Sequence, residues 1–344
     1  MSRSDIIRTN VTRVRRRGVL GAASATVAIL VTAGCSGNGV YETTTIPGPP
    51  APAASTPAPS PTSSAPAPAC GNRLASFAPD GPNPAPSAIP ADSDMGKIKQ
   101  RGRLIAGVSS DTLLLGSRDP LNGQIQGFDI EMLKAVSKAI FGDPNKIEFR
   151  VITTKQRLDV LSGDPADDVD IVARAMTITC ARWERIDFST EYYRAGQKVL
   201  VAKGSTAKGM EDLKGQKVCA PNGSTSMDKL KTFAGLIPVG SDTHTGCLVL
   251  FQQGKVDAIT GDDTILAGLA TQDPYAVVVK APAFTEEPYG LGISKKHPEF
   301  VKFVNGVLQQ MRADGQWTTA YNTWLKAALG PAPAPPSAVY GRQP

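Results

Sequence analysis

Between Arg103 and Ala327 the sequence alternates short apolar runs with amphipathic stretches, and it does so twice over. Arg103–Val108 reads as a strand. Asp129–Phe141, with Ile130, Leu133, Val136 and Ile140 on one side, reads as a helix, and Lys146–Ile152 as a second strand. A short helix begins at Arg157, and Val169–Ala173 is an apolar run of the kind that makes a strand covered on both faces. Gln197–Ala202 is extended, and then the pattern restarts. Strands are expected at Gln216–Ala220, Ile237–Val239, Val256–Ile259 and Val277–Lys280, with helices at Ser226–Phe233, Cys247–Gln253 and Thr264–Leu269 between them. Two halves of one β/α grammar predict two α/β lobes with a cleft between them. Tyr289–Ile293 runs extended out of the second half and is followed by helices at Glu299–Ala313 and Trp317–Ala327. The simplest topology returns these to the first lobe, so that two extended segments cross as a hinge. The expected bounds are 95–196 with 290–330 for the first lobe, and 197–289 for the second with its hinge strands.

The ends differ in kind from the centre. Residues 1–34 carry Arg3, Arg8, Arg13, Arg15, Arg16 and Arg17, then an uncharged run from Gly18 to Ala33. That is the layout of an export signal, with an apolar stretch too short for a comfortable membrane span. Its six arginines, less Asp5, supply +5 of the chain's +6, so the exported part is near neutral and the basic balance is no nucleic-acid signal. From Pro47 to Pro90 the chain is mostly Pro, Ala, Ser and Thr, poor in the large apolar residues that would offset the entropy of ordering. Residues 35–94 are therefore expected to be a tether, and 331–344, of similar composition, a flexible tail. In polyproline II the stretch from Ser36 to Ala69 would reach on the order of 100 Å.

Four cysteines, Cys70, Cys180, Cys219 and Cys247, follow Cys35. An even number in an exported protein predicts two disulfides, and four cysteines allow three pairings that this count does not choose among. With no C-x-x-C spacing and only His244 and His297, no metal site is expected, and nothing calls for a cofactor.

In open α/β sheets ligands lie beyond the carboxyl ends of strands. Thr153, Thr154 and Arg157 follow the second strand, and Ala175, Thr177 and Arg182 follow the third. Asn222-Gly223-Ser224-Thr225-Ser226 and Thr260-Gly261-Asp262-Asp263 follow two strands of the second half. Guanidinium forks match carboxylates, and an aspartate accepts from an ammonium, so these ends describe a site for a zwitterion.

Phe128-Asp129, Met176-Thr177-Ile178-Thr179 with Arg182, Ile186-Asp187-Phe188-Ser189, Tyr192-Tyr193, Gly223-Ser224-Thr225-Ser226 and Val256 to Asp263 together resemble the polar amino-acid-binding proteins of ABC importers, the family 3 solute-binding proteins. The resemblance covers roughly 97–328 and is nearest to the branch that binds glutamate, aspartate, glutamine or asparagine. It implies a two-lobed periplasmic-binding-protein fold of type II kind, with the ligand cleft between lobes, a two-strand hinge and no enzymatic chemistry. It also implies that Arg182 and Thr177 take the ligand α-carboxylate and that Asp262, with the Ala175 carbonyl, takes the α-ammonium. Ser224 and Thr225 contribute from the second lobe, and Thr154 and Arg157 meet the ligand side chain. Arg174 and Asp111 are further candidates. In place of the aromatic wall usual in the family, the loop Ser109–Leu115 would offer leucines.

Thr32-Ala33-Gly34-Cys35 likewise resembles a bacterial lipobox, implying that Cys35 is lipidated and holds the protein at the outer face of the cytoplasmic membrane. Arg16-Arg17 resembles a twin-arginine export signal. The expected pairings are Cys219–Cys247 inside the second lobe and, by exclusion, Cys70–Cys180. The partners implied are a free amino acid and an ABC permease or a membrane-bound sensor, with the chain a monomer. A dehydratase of cyclic amino acids on the same fold would need a proton donor over the leaving group. Asp263 is the nearest candidate and reads better as a helix cap. Trp183, Trp324, Ile186 and Phe188 are expected to pack, and both histidines to lie in surface loops.

Overall fold

The computed structural model describes residues 70–162 and 169–343. The export signal, Cys35 and the tether as far as residue 69 lie outside the described residues.

The first lobe opens with α1 (Asp94–Arg101) and β1 (Leu104–Val108), and a small meander of β2 (Asp111–Thr112), β3 (Gly116–Arg118) and β4 (Ile125–Gln126) follows. Next come α2 (Phe128–Phe141), β5 (Ile147–Val151), α3 (Asp159–Ser162), β6 (Ile171–Ala173), α4 (Cys180–Trp183) and β7 (Asp187–Phe188). β8 (Tyr193–Ala195) leads into the second lobe. That lobe holds β9 (Gln197–Ala202), β10 (Lys217–Pro221), α5 (Thr225–Leu230), β11 (Ile237–Ser241), α6 (His244–Gln252), β12 (Ala258–Asp262), α7 (Asp263–Gln272) and β13 (Ala276–Val278). β14 (Glu287–Tyr289) carries the chain back to β15 (Gly292–Ile293), α8 (Pro298–Ala313), α9 (Gln316–Trp324) and α10 (Lys326–Leu329).

The first sheet runs β5-β1-β6-β15-β7 and the second β11-β10-β12-β9-β13. In each, parallel strands from β/α units are completed by antiparallel ones. The first sheet takes β15 from beyond the second lobe. β8 and β14 pair antiparallel, with Glu287 opposite Ala195 and Tyr289 opposite Tyr193, as the two-strand hinge the sequence implied.

α2 shows how sequence becomes packing. Its apolar positions Ile130, Leu133, Val136 and Ile140 fall on one stripe and are fully buried, and left-handed Gly142 ends it. At its start Phe128 is the centre of an aromatic cluster, edge-on to Tyr193 at 5.6 Å and to Trp317 at 5.8 Å. Such pairs add about 0.5–1.5 kcal/mol each beyond area burial. The cluster ties α2 to α9 and to the hinge, so the late helices dock on the first lobe.

Two expectations are corrected. The described part of the tether, from Cys70 to Ser93, is packed against the first lobe: Ser76 and Phe77 are buried, and Ser76 donates its hydroxyl to the Phe188 carbonyl at 2.7 Å. The tail is packed too. Tyr340 bridges to Ser76, and the Arg342 guanidinium sits 3.9 Å over the Trp183 ring while its Nε donates to the Ala75 carbonyl. Composition misled because a proline-rich strap has little conformational entropy to lose, and a few anchors, Phe77 and Ile89 among them, suffice. Trp183 packs as expected, between Phe77 and Phe188, with its indole N–H on the Arg73 carbonyl.

Asn305 of α8 is the weld. Fully buried, it accepts from Thr190 N at 2.7 Å and donates to Ser76 Oγ at 2.9 Å and to the Phe77 carbonyl at 2.8 Å. Asn305→Ala leaves the Thr190 N–H and the Phe77 carbonyl buried without that partner, while Ser76 Oγ keeps the Phe188 carbonyl. It should cost about 3 kcal/mol in urea unfolding and speed amide exchange at Ser76; unchanged exchange there would show the strap is held by other contacts.

Candidate functional site

At the carboxyl ends of the strands, side chains from both lobes converge on a cavity of about 20 Å³, room for about one water. Ser109, Thr112, Asp129, Thr154, Arg157, Arg174, Ala175 and Thr177 line it from the first lobe, and Ser224, Thr225, Ser226, His244, Asp262 and Ile265 from the second. Of the ligand-binding residues and further candidates named with the family resemblance, only Arg182 and Asp111 stand outside this lining. Arg182 is one layer back: it donates to the Thr177 carbonyl at 2.6 Å and, across the cleft, to the Gly223 carbonyl at 3.4 Å. Asp111 accepts from Ser109 Oγ at 2.8 Å, and its own carbonyl accepts from Thr245 of the second lobe. A roomier groove of about 830 Å³ lies between Ala78–Pro86, α2 and α8, but Lys138 is its one charged lining residue.

Two guanidiniums, Arg157 and Arg174, dominate the cavity, with that of Arg182 one layer behind. Arg157 donates to the carbonyls of Thr154, Arg174 and Ala175, at 2.9, 3.2 and 3.0 Å, and to that of Gly223 at 3.3 Å. Arg174 donates to the Ile152 carbonyl at 2.9 Å and to Thr154 Oγ1 at 2.8 Å. Burial, with Arg182 and Arg174 beside it, holds the Arg157 guanidinium well below its ordinary value, and burial lowers Arg174 and Arg182 as well. Concentrated positive charge with its donors on carbonyl oxygens is chemistry poised for an anionic group.

The opposite pole is Asp262, the last residue of β12. Tyr289 donates to its Oδ2 at 2.6 Å, while Oδ1 is buried without a partner. Burial, then the neighbouring Glu287, pushes its carboxyl up to about 7. Its neighbour Asp263 instead accepts from Thr264 N at 2.8 Å and Gly196 N at 3.4 Å; it is the first residue of α7 and not the N-cap expected of it, a position Asp262 occupies. Asp263 is also outside the cavity lining, so the acid that a dehydratase would use is not over the cleft.

Hydroxyl polarity differs around the cavity. Thr154 accepts from Arg174 and keeps its own proton available, whereas Thr177 and Thr225 both donate to Glu287 Oε2, at 2.6 and 2.8 Å. A hydroxyl has one proton, so in this arrangement Thr177 and Thr225 offer the cleft only lone pairs. The role left for Thr177 toward a carboxylate is then its backbone and not its hydroxyl.

The structure adds residues that sequence reasoning missed. Asp129 is buried, with its carboxyl raised by burial to about 6, and it accepts from Ala175 N at 2.8 Å and from the Tyr192 hydroxyl at 2.7 Å. It thereby holds Ala175 in a left-handed conformation, φ +43°, that a non-glycine residue rarely adopts. Glu287 is 3% exposed and belongs to the hinge. His244 corrects the expectation of a surface loop. It opens α6, is buried, lines the cavity, and has an unpartnered Nε2. Burial, with Arg174 and Arg157 nearby, pushes it down to about 3, so the ring is neutral. The leucine wall is also corrected: Leu115 is in the core, and Ser109 and Thr112 face the cavity. Both disulfides pair as expected, Cys70 with Cys180 and Cys219 with Cys247. Among the described residues no acid, His or Cys cluster could hold a metal, and no helix is long and apolar enough to cross a membrane.

Two hinged α/β lobes closing on a polar, charge-paired cleft define a solute-binding protein. Residues 104–327 match the bacterial extracellular solute-binding proteins, family 3, and the chain belongs to that family. It is 35% identical over 255 residues to the ABC transporter glutamine-binding protein GlnH of Bacillus subtilis (strain 168), a match covering 74% of this chain and 92% of the other. It is 31% identical over 230 residues to the glutamate-binding protein GluB of Corynebacterium efficiens, covering 63% and 77%. Among solved structures, an ancestral arginine-binding protein bound to glutamine aligns with a TM-score of 0.60 at 32% identity, covering 65% of this chain and 98% of the other. An ancestral amino acid-binding protein described as a precursor of cyclohexadienyl dehydratase aligns with a TM-score of 0.61 at 34% identity, covering 68% and 100%. The named relatives in sequence are binding proteins, and this chain too is a binding protein and not an enzyme.

The His244 ring lies over Gly261, where an added Cβ would come within 2.4 Å of Nε2. Gly261→Ala should therefore destabilise the protein by about 1–3 kcal/mol in urea unfolding. The double variant with His244→Ala should recover most of that loss, and additive effects would mean the ring is not what the methyl meets.

Proposed function

We propose that the cleft captures a free polar amino acid, glutamate or aspartate or their amides, and presents it to an ABC permease from the outer face of the cytoplasmic membrane, where a lipid on Cys35 anchors the chain. The observation that carries this reading is the pairing, in one cavity, of two buried arginines, Arg157 and Arg174, with the unpartnered oxygen of Asp262, and with buried Arg182 one layer behind them. Arg182, with the Thr177 backbone, takes the α-carboxylate. Asp262, with the Ala175 carbonyl, takes the α-ammonium, and Ser224 and Thr225 close over it from the second lobe. Thr154 and Arg157, with Arg174 beside them, meet the side-chain carboxylate or amide, for which Arg offers a fork and Thr154 a free hydroxyl proton. His244 faces the same region from the second lobe. A cavity of about 20 Å³ is too small for an amino acid, so entry requires the lobes to part about the hinge and the guanidiniums to exchange carbonyl partners for ligand oxygens.

Isothermal titration against a panel of amino acids should give binding well tighter than millimolar, about −4 kcal/mol, for at least one of glutamate, aspartate, glutamine and asparagine. No binding by any of the four would overturn the reading. Arg182→Ala should abolish binding while the circular dichroism spectrum stays native, because the guanidinium sits on the Thr177 and Gly223 carbonyls between the lobes and not in a hydrophobic core.

The proposed ammonium site also predicts a pH dependence. Asp262 holds its proton up to about 7 in the free protein, and an ammonium requires the ionised form. Affinity for an amide ligand should therefore be flat from about pH 8 up to the point where the ligand's own ammonium loses its proton, and fall up to about tenfold per unit below 7. Asp262→Asn should weaken binding and level that slope; a slope that survives the substitution assigns the titration to another group.

A further inference from the structure

The hinge carries a carboxylate that the ligand reading leaves unused. Glu287 lies on β14, within the hinge pairing and opposite Ala195, yet it is 3% exposed. Its Oε2 receives Thr177 from the first lobe at 2.6 Å and Thr225 from the second at 2.8 Å, and its Oε1 receives Thr285 of the hinge segment at 2.7 Å. Thr177 is itself held to the hinge by a backbone bridge to Tyr289, so its place relative to Glu287 is fixed within the first lobe. Thr225 opens α5 and moves with the second lobe. One carboxylate oxygen therefore bonds a fixed hydroxyl and a travelling one. The two threonine oxygens are brought within 3.4 Å of each other only because both point at it.

We propose that Glu287 is a closing latch, a positioning residue whose carboxylate gathers one hydroxyl from each lobe and so favours the closed cleft before any ligand contact is counted. When the lobes part, the bond to Thr225 breaks while those to Thr177 and Thr285 persist, so the latch acts on closure and leaves the first lobe's half of the site in place. A ligand whose binding requires the closed form binds in proportion to how much of the protein is already closed. Glu287 is not itself in the cavity lining, so removing the latch weakens every ligand that needs the closed form.

The test uses the full exported chain with spin labels at Leu121→Cys in the first lobe and Tyr275→Cys in the second, both highly exposed. Distances are read by pulsed electron resonance without and with saturating ligand, and affinities by calorimetry. Glu287→Ala and, as a variant that spares the hinge, Thr225→Val should both lengthen the ligand-free distance. Glu287→Ala should weaken affinity about tenfold, the shift from a mostly closed to a mostly open ligand-free protein; Thr225 also meets the ligand, so Thr225→Val is judged on the ligand-free distance alone, and saturating ligand should restore the wild-type distance in both. Glu287→Gln, which keeps an accepting oxygen, should recover much of the closed population. Ligand-free distances equal to wild type in both Glu287→Ala and Thr225→Val would overturn the latch. The inference rests on the lobe-closure reading, but its distance measurement needs no ligand. Failure of the wild type to bind any amino acid would thus count against the ligand assignment alone.

Discussion

Putting three guanidiniums into one cleft is the constraint that shapes this molecule. A charge taken out of water is costly unless it is paired and hydrogen-bonded, and here the pairing comes largely from carbonyl oxygens at strand ends. Arg157 alone draws on Thr154, Arg174, Ala175 and Gly223. Those carbonyls are free because each lies where a strand stops and the sheet no longer uses it. Ala175 is held in its unfavourable backbone by buried Asp129 at its N–H and by Arg157 at its carbonyl. The Gly223 carbonyl, reached by both Arg157 and Arg182, belongs to the other lobe, so the same hydrogen bonds that satisfy the arginines also draw the lobes together. The hydrophobic cores remain largely separate, apart from Ile265 of α7, which reaches the first lobe's core. A polar interface between two independently packed lobes is what permits opening without exposing a core.

Most of this frame was legible in the sequence because it is local. Strand runs and amphipathic stripes name their own elements, and the rule that ligands sit past strand ends picked out Thr154, Arg157, Ala175, Thr177, Ser224, Thr225 and Asp262, all of which line the cavity. The residues that escaped depend on distant parts of the chain. Asp129 looks like an ordinary acid in the first turn of a helix, favourable there for reasons of dipole alone, and nothing local says that Ala175 and Tyr192 will arrive above it. His244 stands in Asp242-Thr243-His244-Thr245, polar enough to read as a loop, and its burial follows from Gly261 leaving space under the ring. Glu287 follows no strand end, since its strand is the hinge itself. The strap at 70–93 and the tail were misread for the opposite reason: composition averages over many residues, while Phe77, Tyr340 and Arg342 act singly.

The disulfides bear on the same geometry. Cys180 is the first residue of α4, whose third residue is Arg182, and its bond to Cys70 closes a sequence separation of 110 residues. A loop of that size corresponds to about 4–5 kcal/mol of lost unfolded-state entropy in the simplest treatment. The gain falls on a four-residue helix that would have little stability alone. Cys219 and Cys247 join β10, whose end supplies Gly223 and Ser224, to α6, which supplies His244. Each lobe thus has one covalent staple behind its half of the cleft.

Rigidity placed there leaves motion for the hinge. Arg182 cannot drift with a fraying helix, and the loop after β10 cannot drift from α6, so the cleft changes chiefly by moving one stapled half against the other. The two halves meet through a few directional bonds, chief among them those to the Gly223 carbonyl and to Glu287. Directional bonds between rigid bodies form together or not at all, whereas apolar contacts lose strength gradually as surfaces slide. With such bonds the proposed opening would be a step between two well-separated states instead of a continuum, and a membrane partner reading the surface would meet a closed molecule or an open one.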